Sequence, residues 1–396
     1  MLPAHRRAKL RSPATHACAL LLLSSLALLL TGCGNFFTCE GKASCPTTTC
    51  TTNCPATTTD YAYIANSSSG TTYVDGYDVG SGALTAATSA PFSFSYSPSA
   101  LAITPANTFL YAATDSALTT GIIYGYSIGT GGALSILSFN STTALVNESV
   151  SSMAISPDGQ WLFCLDTDGI TLEEYSINAT TGALKFAATY GITGATTGVI
   201  TPASVAIAPT GDYVVVALGT GGAETFGFDT TTGVATVSTL IKPANSATGI
   251  YAVAVDANDY LYAAGTAGLQ VFATTAAGVP TVPGNTYTTG TGPRSIAINP
   301  DSTFVYVGNQ TDGTITAYTI GTNAALTAVS GSPFTGPTTV SSLGVDSTGA
   351  YLVSSGYNST TGINLYAIGT TGVLTNKATA ATGTSALIPT PIAMTH

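Results

Sequence analysis

Charged residues are scarce in this sequence. They make up 7% of the 396 residues, and nineteen Asp and Glu outnumber nine Lys and Arg, whereas soluble proteins average about a quarter. Four of the nine basic residues lie among the first eleven residues, so five remain against nineteen acidic ones. Because phosphate contacts need clustered Lys and Arg, the composition excludes nucleic acid as a partner. It also excludes electrostatic attraction to anionic lipid headgroups.

Histidine and long hydrophobic runs are rare as well. The sequence has three His, and His396, the last residue, is the only one beyond His16. Histidine is the usual general base near neutral pH, so catalysis in the body of the chain would depend on a carboxylate. Beyond residue 33 no apolar run approaches the roughly 20 residues of a membrane-spanning helix.

The first 32 residues have the features of an export signal. A basic segment precedes the apolar stretch Cys18–Leu30, which is too short to span a bilayer. The stretch ends in Leu30-Thr31-Gly32-Cys33, which resembles the lipobox of bacterial lipoproteins, where the cysteine is diacylated and becomes the new N terminus. We predict a lipoprotein signal peptide over residues 1–32 and lipidation at Cys33. Gly34 in place of Asp favours the outer membrane or cell surface; an ordinary signal peptide is the alternative.

Residues 33–59 are predicted to be a tether. This segment is rich in Thr and Cys and has few large apolar residues, so it cannot fold alone. An exported location favours disulfides over free thiols. The spacings match no zinc pattern and no His is nearby, so we predict two local disulfides of undetermined pairing and no metal site. The four candidate cysteines are Cys39, Cys45, Cys50 and Cys54. Cys164 is predicted to be a buried, reduced core residue.

One pattern recurs through residues 60–396. In its clearest copy, Pro293–Pro337, four short segments rich in Val, Ile, Thr, Tyr and Phe alternate with turn residues. Such segments read as strands joined by hairpins, and a four-stranded unit recurring at about 40–50 residues is typical of a β-propeller blade. The second strand occurs seven times, from YAYIAN at Tyr61–Asn66 to YLVSSG at Tyr351–Gly356.

The ends of the repeat predict how the propeller closes. The first copy lacks its inner strand, whereas Ile392–Thr395 is an inner strand with nothing after it. Open strand edges are a liability that proteins avoid. We therefore predict an all-β fold, a seven-bladed β-propeller of four-stranded blades, closed by the C-terminal strand completing the N-terminal blade.

The repeat carries a family resemblance. FVYVGN at Phe304–Asn309 resembles the YVTN-type repeat, and GPRSIAINPDSTFVYVGN resembles the repeat of seven-bladed lactonase-like propellers, which include 6-phosphogluconolactonase-like proteins. The resemblance implies a ligand site around the central channel, on the face where the inner strands begin. Enzymatic members use Arg, His and Glu there. Arg294 matches the family's arginine, but Ser295, Ser99 and Ala203 stand where a histidine is expected.

Few carboxylates are candidates for the missing base. Glu148 precedes an inner strand and is the candidate that would accompany Arg294; a structural ion pair or a free surface charge is the alternative. Glu224 opens a third strand and is predicted to be a solvated blade edge. Glu173 and Glu174 are consecutive on a strand, so they point to opposite faces and are predicted to be structural or solvated. Asp166–Gly169 is predicted to be a hairpin turn, because it lacks the acids of a calcium loop.

Because the sequence offers few candidate catalytic residues, we expect a binding role rather than catalysis. We expect a membrane-anchored exported lipoprotein whose propeller is a non-catalytic binding module, with no cofactor. Its partner would be an unidentified protein, glycan or small molecule at the channel mouth, and the lipid would be its only membrane attachment. We expect a monomer. The alternative is a lactonase-like hydrolase of the 6-phosphogluconolactonase type, built around Arg294 and Glu148.

Overall fold

A computed structural model describes residues 60–68, 71–94, 98–114, 122–138, 149–166, 170–194, 199–242, 248–281, 285–357, 361–382 and 390–396. All of them belong to one compact unit, Thr58–His396. The predicted lipidation site Cys33, the four tether cysteines and Glu148 lie outside the described residues. No helix within the described residues is long and apolar enough to cross a membrane.

The described residues form thirty short strands and two single-turn 3₁₀ helices, Thr130–Gly132 and Thr322–Ala324. The strands of the first half are β1 (Tyr61–Ser68), β2 (Thr71–Asp78), β3 (Thr85–Ala86), β4 (Phe92–Phe94), β5 (Pro98–Ile103), β6 (Phe109–Thr114), β7 (Ile123–Ile128), β8 (Leu134–Ile136), β9 (Val150–Ile155), β10 (Trp161–Asp166), β11 (Thr171–Ile177), β12 (Leu184–Gly191), β13 (Ile200–Ile207), β14 (Tyr213–Gly219), β15 (Ala223–Asp229) and β16 (Val234–Ile241). Those of the second half are β17 (Ile250–Val255), β18 (Tyr260–Gly265), β19 (Gly268–Ala273), β20 (Asn285–Tyr287), β21 (Pro293–Ile298), β22 (Phe304–Asn309), β23 (Thr314–Ile320), β24 (Leu326–Ala328), β25 (Phe334–Thr335), β26 (Ser342–Val345), β27 (Tyr351–Ser355), β28 (Ile363–Ile368), β29 (Leu374–Ala380) and β30 (Ile392–Met394).

Consecutive strands pair antiparallel into four-stranded units. The units β5–β8, β9–β12 and β26–β29 are separate sheets, and β21–β24 is a fourth with β25 added to β23. The units β13–β16 and β17–β20 are joined into one sheet by the single pair Gly219 and Ile250. The remaining sheet runs β3-β2-β1-β30, with β4 also paired to β2. The predicted all-β propeller fold is confirmed.

The first and last strands of the chain lie side by side. Tyr63 of β1 is opposite Ala393 of β30. Backbone hydrogen bonds flank this pair, from the Ala65 N–H to the Pro391 carbonyl at 3.1 Å and from the Thr395 N–H to the Tyr61 carbonyl at 2.9 Å. The inner strands also contact one another in sequence: β5 with β9, β9 with β13, β13 with β17, β17 with β21, β21 with β26, and β30 with both β26 and β5.

Second strands are apolar on both faces because each packs between two neighbouring sheets. Tyr63, Tyr111 and Tyr306 occupy the same position in β1, β6 and β22 and are fully buried. Each hydroxyl donates to the carbonyl of a glycine in the next unit's turn between its third and fourth strands. The acceptors are Gly132 at 2.8 Å, Gly182 at 2.7 Å and Gly372 at 3.1 Å. A buried tyrosine hydroxyl needs such a partner, so these bonds link one blade to the next.

Two constraints together require glycine at these three acceptor positions. Gly132, Gly182 and Gly372 have φ of 70–80°, which side-chain-bearing residues rarely adopt. A Cβ on Gly132 would also lie 2.5 Å from the ring of Tyr61. The Gly in the GTGGAL, NATTGAL and GTTGVL turns of the sequence therefore has a packing role between blades. Cys164 is buried within β10, as predicted.

Candidate functional site

One ring of residues surrounds the mouth of the central channel. One apolar residue recurs at the same register of every inner strand: Leu101, Met153, Val205, Val253, Ile296, Leu343 and Ile392. Two positions before it stand Ser99, Ser151, Ala203, Tyr251, Arg294, Ser341 and Thr390. Five of the seven side chains are small: four belong to serine or threonine and one to alanine. Tyr251 and Arg294, on the adjacent strands β17 and β21, are the large members, so the ring is strongly asymmetric.

Local backbone geometry sets the direction of these side chains. Along β21, Pro293 is opposite Asn309 and Ser295 is opposite Gly308, which leaves Arg294 as an extra residue between them. The same irregularity leaves Ser99, Ser151 and Tyr251 unpaired in β5, β9 and β17. An extra residue in one strand is a β-bulge, and bulges re-aim side chains at the rims of β structures. The repeat therefore builds a bulge at the start of several inner strands.

A cavity of about 280 Å³ lies inside this ring. The inner strands of seven sheet units contribute to its lining, and most of the polar side chains are serines. The lining includes Ser99, Ser151, Ser152, Ser204, Arg294, Ser295, Ser341 and Ser342. This volume is close to the lower end of typical small-molecule sites.

Arg294 is the only charged side chain that lines this cavity within the described part of the chain. It is exposed, and its guanidinium carbon lies 4.0 Å from the centre of the Tyr251 ring. A guanidinium over an aromatic face is held by cation–π attraction without using its N–H donors. Among the residues that the structure describes, no carboxylate forms an ion pair with it. The arginine is therefore held in place with its donors available to a ligand.

Five of the serines around the cavity form side-chain hydrogen bonds of two kinds. Ser99, Ser151 and Ser341 donate to carbonyls of the second strands, at 3.3, 3.2 and 3.2 Å respectively. Ser152 and Ser342 instead accept an N–H from the next inner strand, at 3.1 and 3.2 Å. A hydroxyl that accepts from the backbone keeps its own hydrogen to donate. Ser152 and Ser342 can thus donate to an oxygen-rich ligand.

No histidine or carboxylate side chain lines the mouth cavity among the described residues. Asp166 is buried at the end of β10, where it accepts the Ser149 N–H at 3.1 Å. His396 lines a second cavity at the opposite end of the channel, where its backbone N–H donates to the side-chain oxygen of Asn107 at 2.9 Å. The predicted pair Arg294 and Glu148 is therefore described only at Arg294.

The prediction for Glu224 is wrong. This side chain is fully buried, because β15 lies inside its sheet and residues 193–194 fold against its end. The carboxylate accepts the N–H groups of Thr193 at 3.0 Å and Gly194 at 3.1 Å, and the Thr193 hydroxyl at 2.8 Å. Glu224 is a structural anchor for the end of the neighbouring blade.

Replacing this anchor should destabilise the protein. Glu224→Ala removes a charged acceptor and leaves the buried N–H of Gly194 and the part-buried N–H of Thr193 without it, which should lower the free energy of unfolding by about 3 kcal/mol. Urea unfolding followed by tryptophan fluorescence measures this. Glu224→Gln retains one oxygen and should cost less; equal stability of Glu224→Ala and wild type would contradict the assigned role.

Glu173 and Glu174 point to opposite faces of β11, as predicted, and both are buried. Glu173 accepts the hydroxyl of Tyr175 at 2.7 Å, and Glu174 accepts that of Tyr190 at 2.6 Å. Burial raises the pKa of Glu174 above its ordinary value, and the hydrogen bond from Tyr190 partly offsets this. Their roles are structural, and neither lines the mouth cavity.

Sequence reasoning missed Tyr251, Ser152 and Ser342. Tyr251 has no motif of its own, but its position two residues before Val253 matches that of Arg294 before Ile296. Aligning the seven inner strands by this register identifies the whole ring. The acceptor role of Ser152 and Ser342 has no sequence signal, since it depends on the distance to the next inner strand.

Comparisons with known proteins agree with this architecture. The family model described as "Lactonase, 7-bladed beta-propeller" matches residues 56–233 and 223–341. A comparison with curated protein sequences found no match.

Solved structures of similar fold include a candidate 6-phosphogluconolactonase from Bacteroides uniformis, with a TM-score of 0.67 and 16% identity over 85% of this chain and 99% of that one. A second, from Bacteroides fragilis, has a TM-score of 0.66 and 14% identity over 87% and 100% of the two chains. The periplasmic gluconolactonase of Pseudomonas aeruginosa has a TM-score of 0.64 and 14% identity over 85% and 99%. At these identities the likeness concerns the fold alone. The match to the family model extends over more than half of the sequence, and the chain belongs to the family of seven-bladed β-propeller lactonases.

Proposed function

We propose that this protein hydrolyses a lactone at the mouth of the central channel. The observation that carries the proposal is Arg294, which stacks on Tyr251 at the edge of a serine-lined cavity and forms no ion pair with any carboxylate of the described residues. Membership of a lactonase family supports the same conclusion. The family comparison thus favours hydrolysis over the non-catalytic module expected from the sequence.

The chemistry assigns a role to each group. Water attacks the lactone carbonyl carbon, the carbonyl oxygen becomes an oxyanion, and the ring C–O bond then breaks to give a hydroxy acid. Arg294 and the hydroxyls of Ser152 and Ser342 supply donors for the oxyanion, the kind of preorganised stabilisation that contributes most in acyl transfer. Glu148, adjacent in sequence to Ser149, is proposed as the base that takes the proton from water and then gives it to the ring oxygen as the ring C–O bond breaks.

A binding module remains the second candidate, and one observation favours it. Among the described residues, neither a carboxylate nor a histidine lines the mouth cavity, and losing a general base typically costs about 10²–10⁴-fold in rate. In that case Arg294 would bind the carboxylate or phosphate of a ligand that is held and released unchanged. Both candidates use the same cavity, so the assay must detect turnover.

We also propose a closed seven-bladed ring. The pairing of β30 with β1 supports this, as does the unbroken succession of contacts between neighbouring inner strands. Seven units with no unpaired inner edge would hold the seven ring residues at fixed positions around the channel. This matters for function because Tyr251 and Arg294 belong to different units.

The proposed cellular arrangement follows from the leader. Cleavage before Cys33 and diacylation of its thiol would anchor the propeller in the cell envelope through the tether over residues 33–59, with the lipid as the only membrane attachment. No metal or cofactor is needed for the proposed reaction. Among the described residues, no cluster of His, Cys, Asp and Glu is suited to a metal ion.

Hydrolysis of glucono-δ-lactone and 6-phosphogluconolactone, followed by pH-stat, tests the proposal. Wild type should show saturable turnover above the spontaneous rate. Arg294→Ala should reduce kcat/KM by about 10²-fold or more, in line with the loss of an oxyanion donor, and Glu148→Gln should reduce kcat. Lys185→Ala, which removes an exposed cation from β12, is the matched control and should retain full activity. Saturable binding of these lactones without turnover would instead establish the binding module.

A further inference from the structure

A second cavity, of about 350 Å³, lies at the other end of the channel. Its lining side chains are almost entirely apolar. They include Leu101, Ile103, Met153, Ile155, Leu343 and Val345. Ile155 and Val345 are only half-buried, so apolar surface is left facing the channel.

The two cavities are adjacent, because several residues line both of them. Leu101, Met153, Leu343 and Ile392 line both of them. These residues lie in the middle of the inner strands, below the serine ring and above the apolar end. From Arg294 to Ile298 an inner strand advances about 13 Å, so the ring of polar side chains and the cavity lined by apolar side chains follow each other along one axis.

The two halves have different chemistry. The mouth offers a cation and hydroxyl donors, whereas among the described residues the lower half offers no ionisable side chain other than that of His396, whose pKa is lowered by burial. A sugar chain or phosphate entering the lower half would lose water without gaining hydrogen-bonding side chains. An aliphatic chain would gain from burial against Ile155 and Val345.

We propose that the preferred substrate is a lactone whose ring carries a linear aliphatic chain. The ring carbonyl lies beside Arg294 at the mouth, and the chain extends down the channel between Met153 and Leu343 into the apolar half. This inference rests on the proposed hydrolysis and names the class of lactone that the channel selects.

Kinetics on a homologous series test the inference. Initial rates are measured with δ-valerolactone, δ-octalactone, δ-decalactone and δ-dodecalactone. Because each buried methylene contributes favourably to binding, kcat/KM should rise by about two- to fourfold per added methylene until the lower cavity is filled. Equal kcat/KM across the series would overturn the inference while leaving the proposed hydrolysis intact.

A substitution in the lower cavity tests whether the aliphatic chain of the substrate binds there. Ala154 is a half-buried lining residue of the lower cavity, and Ala154→Phe should bring the ratio of kcat/KM for δ-decalactone to that for δ-valerolactone close to one. Ala86→Phe, at an exposed alanine of β3, is the control and should keep the wild-type ratio. A thermal melt verifies that both variants are folded, and an unchanged ratio in folded Ala154→Phe would contradict the assignment of the chain to this cavity.

Binding measurements distinguish a failure of the inferred aliphatic ligand class from a failure of the proposed lactone hydrolysis. Calorimetric titration with butyrate and decanoate needs no turnover. If no lactone is hydrolysed but decanoate binds at least tenfold more tightly than butyrate, and Ala154→Phe abolishes the difference, the hydrolysis fails and the aliphatic ligand class stands. Equal affinity for the two carboxylates would overturn the aliphatic channel.

Discussion

Removal of Thr390–His396 should lower the melting temperature of the propeller by about 10 °C or more. These residues supply β30, whose Ala393 and Met394 are 7% exposed and whose backbone pairs with β1. Without them, buried N–H and C=O groups of β1 lose their partners, at about 1–3 kcal/mol each. The side chain of Met394 also leaves its cavity, which typically costs about 2–5 kcal/mol.

The combined loss is comparable to the total stability of many proteins, about 5–15 kcal/mol, and each kcal/mol shifts the melting temperature by about 2–4 °C in domains of 150–250 residues. Differential scanning fluorimetry measures the shift. Met394→Ala is a milder change that should produce a smaller decrease in the melting temperature, so it can be measured even if the truncated chain fails to fold. Removal of His396 alone is the control. A truncated protein that melts with the full-length chain would contradict closure through β30.

Cys33→Ala should move the protein from the membrane fraction into the soluble envelope fraction or the medium. The leader predicts that a diacylated Cys33 is the membrane attachment, and the chain from residue 33 onward has five basic against nineteen acidic residues, so anionic headgroups repel it. A covalently attached acyl chain contributes about 0.8 kcal/mol per buried methylene. Its loss should therefore abolish membrane association almost completely.

Fractionation with a carbonate wash, followed by immunoblotting, measures this change. Cys39→Ala alters a neighbouring cysteine of the predicted tether and should remain with membranes, which controls for effects on export and on disulfides. Retention of Cys33→Ala in the washed membrane pellet would contradict the lipid anchor and favour an ordinary signal peptide with another mode of attachment.

The fold was predictable because its information is local and repeated. Each blade carries its own turns and its own doubly apolar second strand, so FVYVGN and YLYAAG predict the same element independently. The fully buried Tyr111 and Tyr306 occupy equivalent places in β6 and β22. Because the unit is repeated, one clear copy, Pro293–Pro337, identifies the corresponding strands in the less regular copies.

The site was less predictable because its geometry is assembled between blades. Arg294 was visible as the only arginine beyond the leader, but its partner Tyr251 belongs to another unit and stacks on it only through the bulges in β17 and β21. Glu224 was misjudged for the same reason: its position on β15 suggested an edge, whereas the N–H groups that donate to its carboxylate belong to residues that follow the preceding blade. The residues that make these two contacts do not recur at the same position of other units, so the repeat pattern of the sequence does not reveal them.

The central claim is that the channel mouth is the lactone site, and a crystal structure with gluconate tests it most directly. Gluconate is the product of glucono-δ-lactone hydrolysis and carries the carboxylate that Arg294 should bind. The predicted result is a gluconate molecule in the serine-lined cavity, with its carboxylate about 2.7–2.9 Å from the guanidinium nitrogens and Arg294 still stacked on Tyr251. An empty mouth cavity at a gluconate concentration that inhibits hydrolysis, or gluconate bound elsewhere on the propeller, would contradict the assignment.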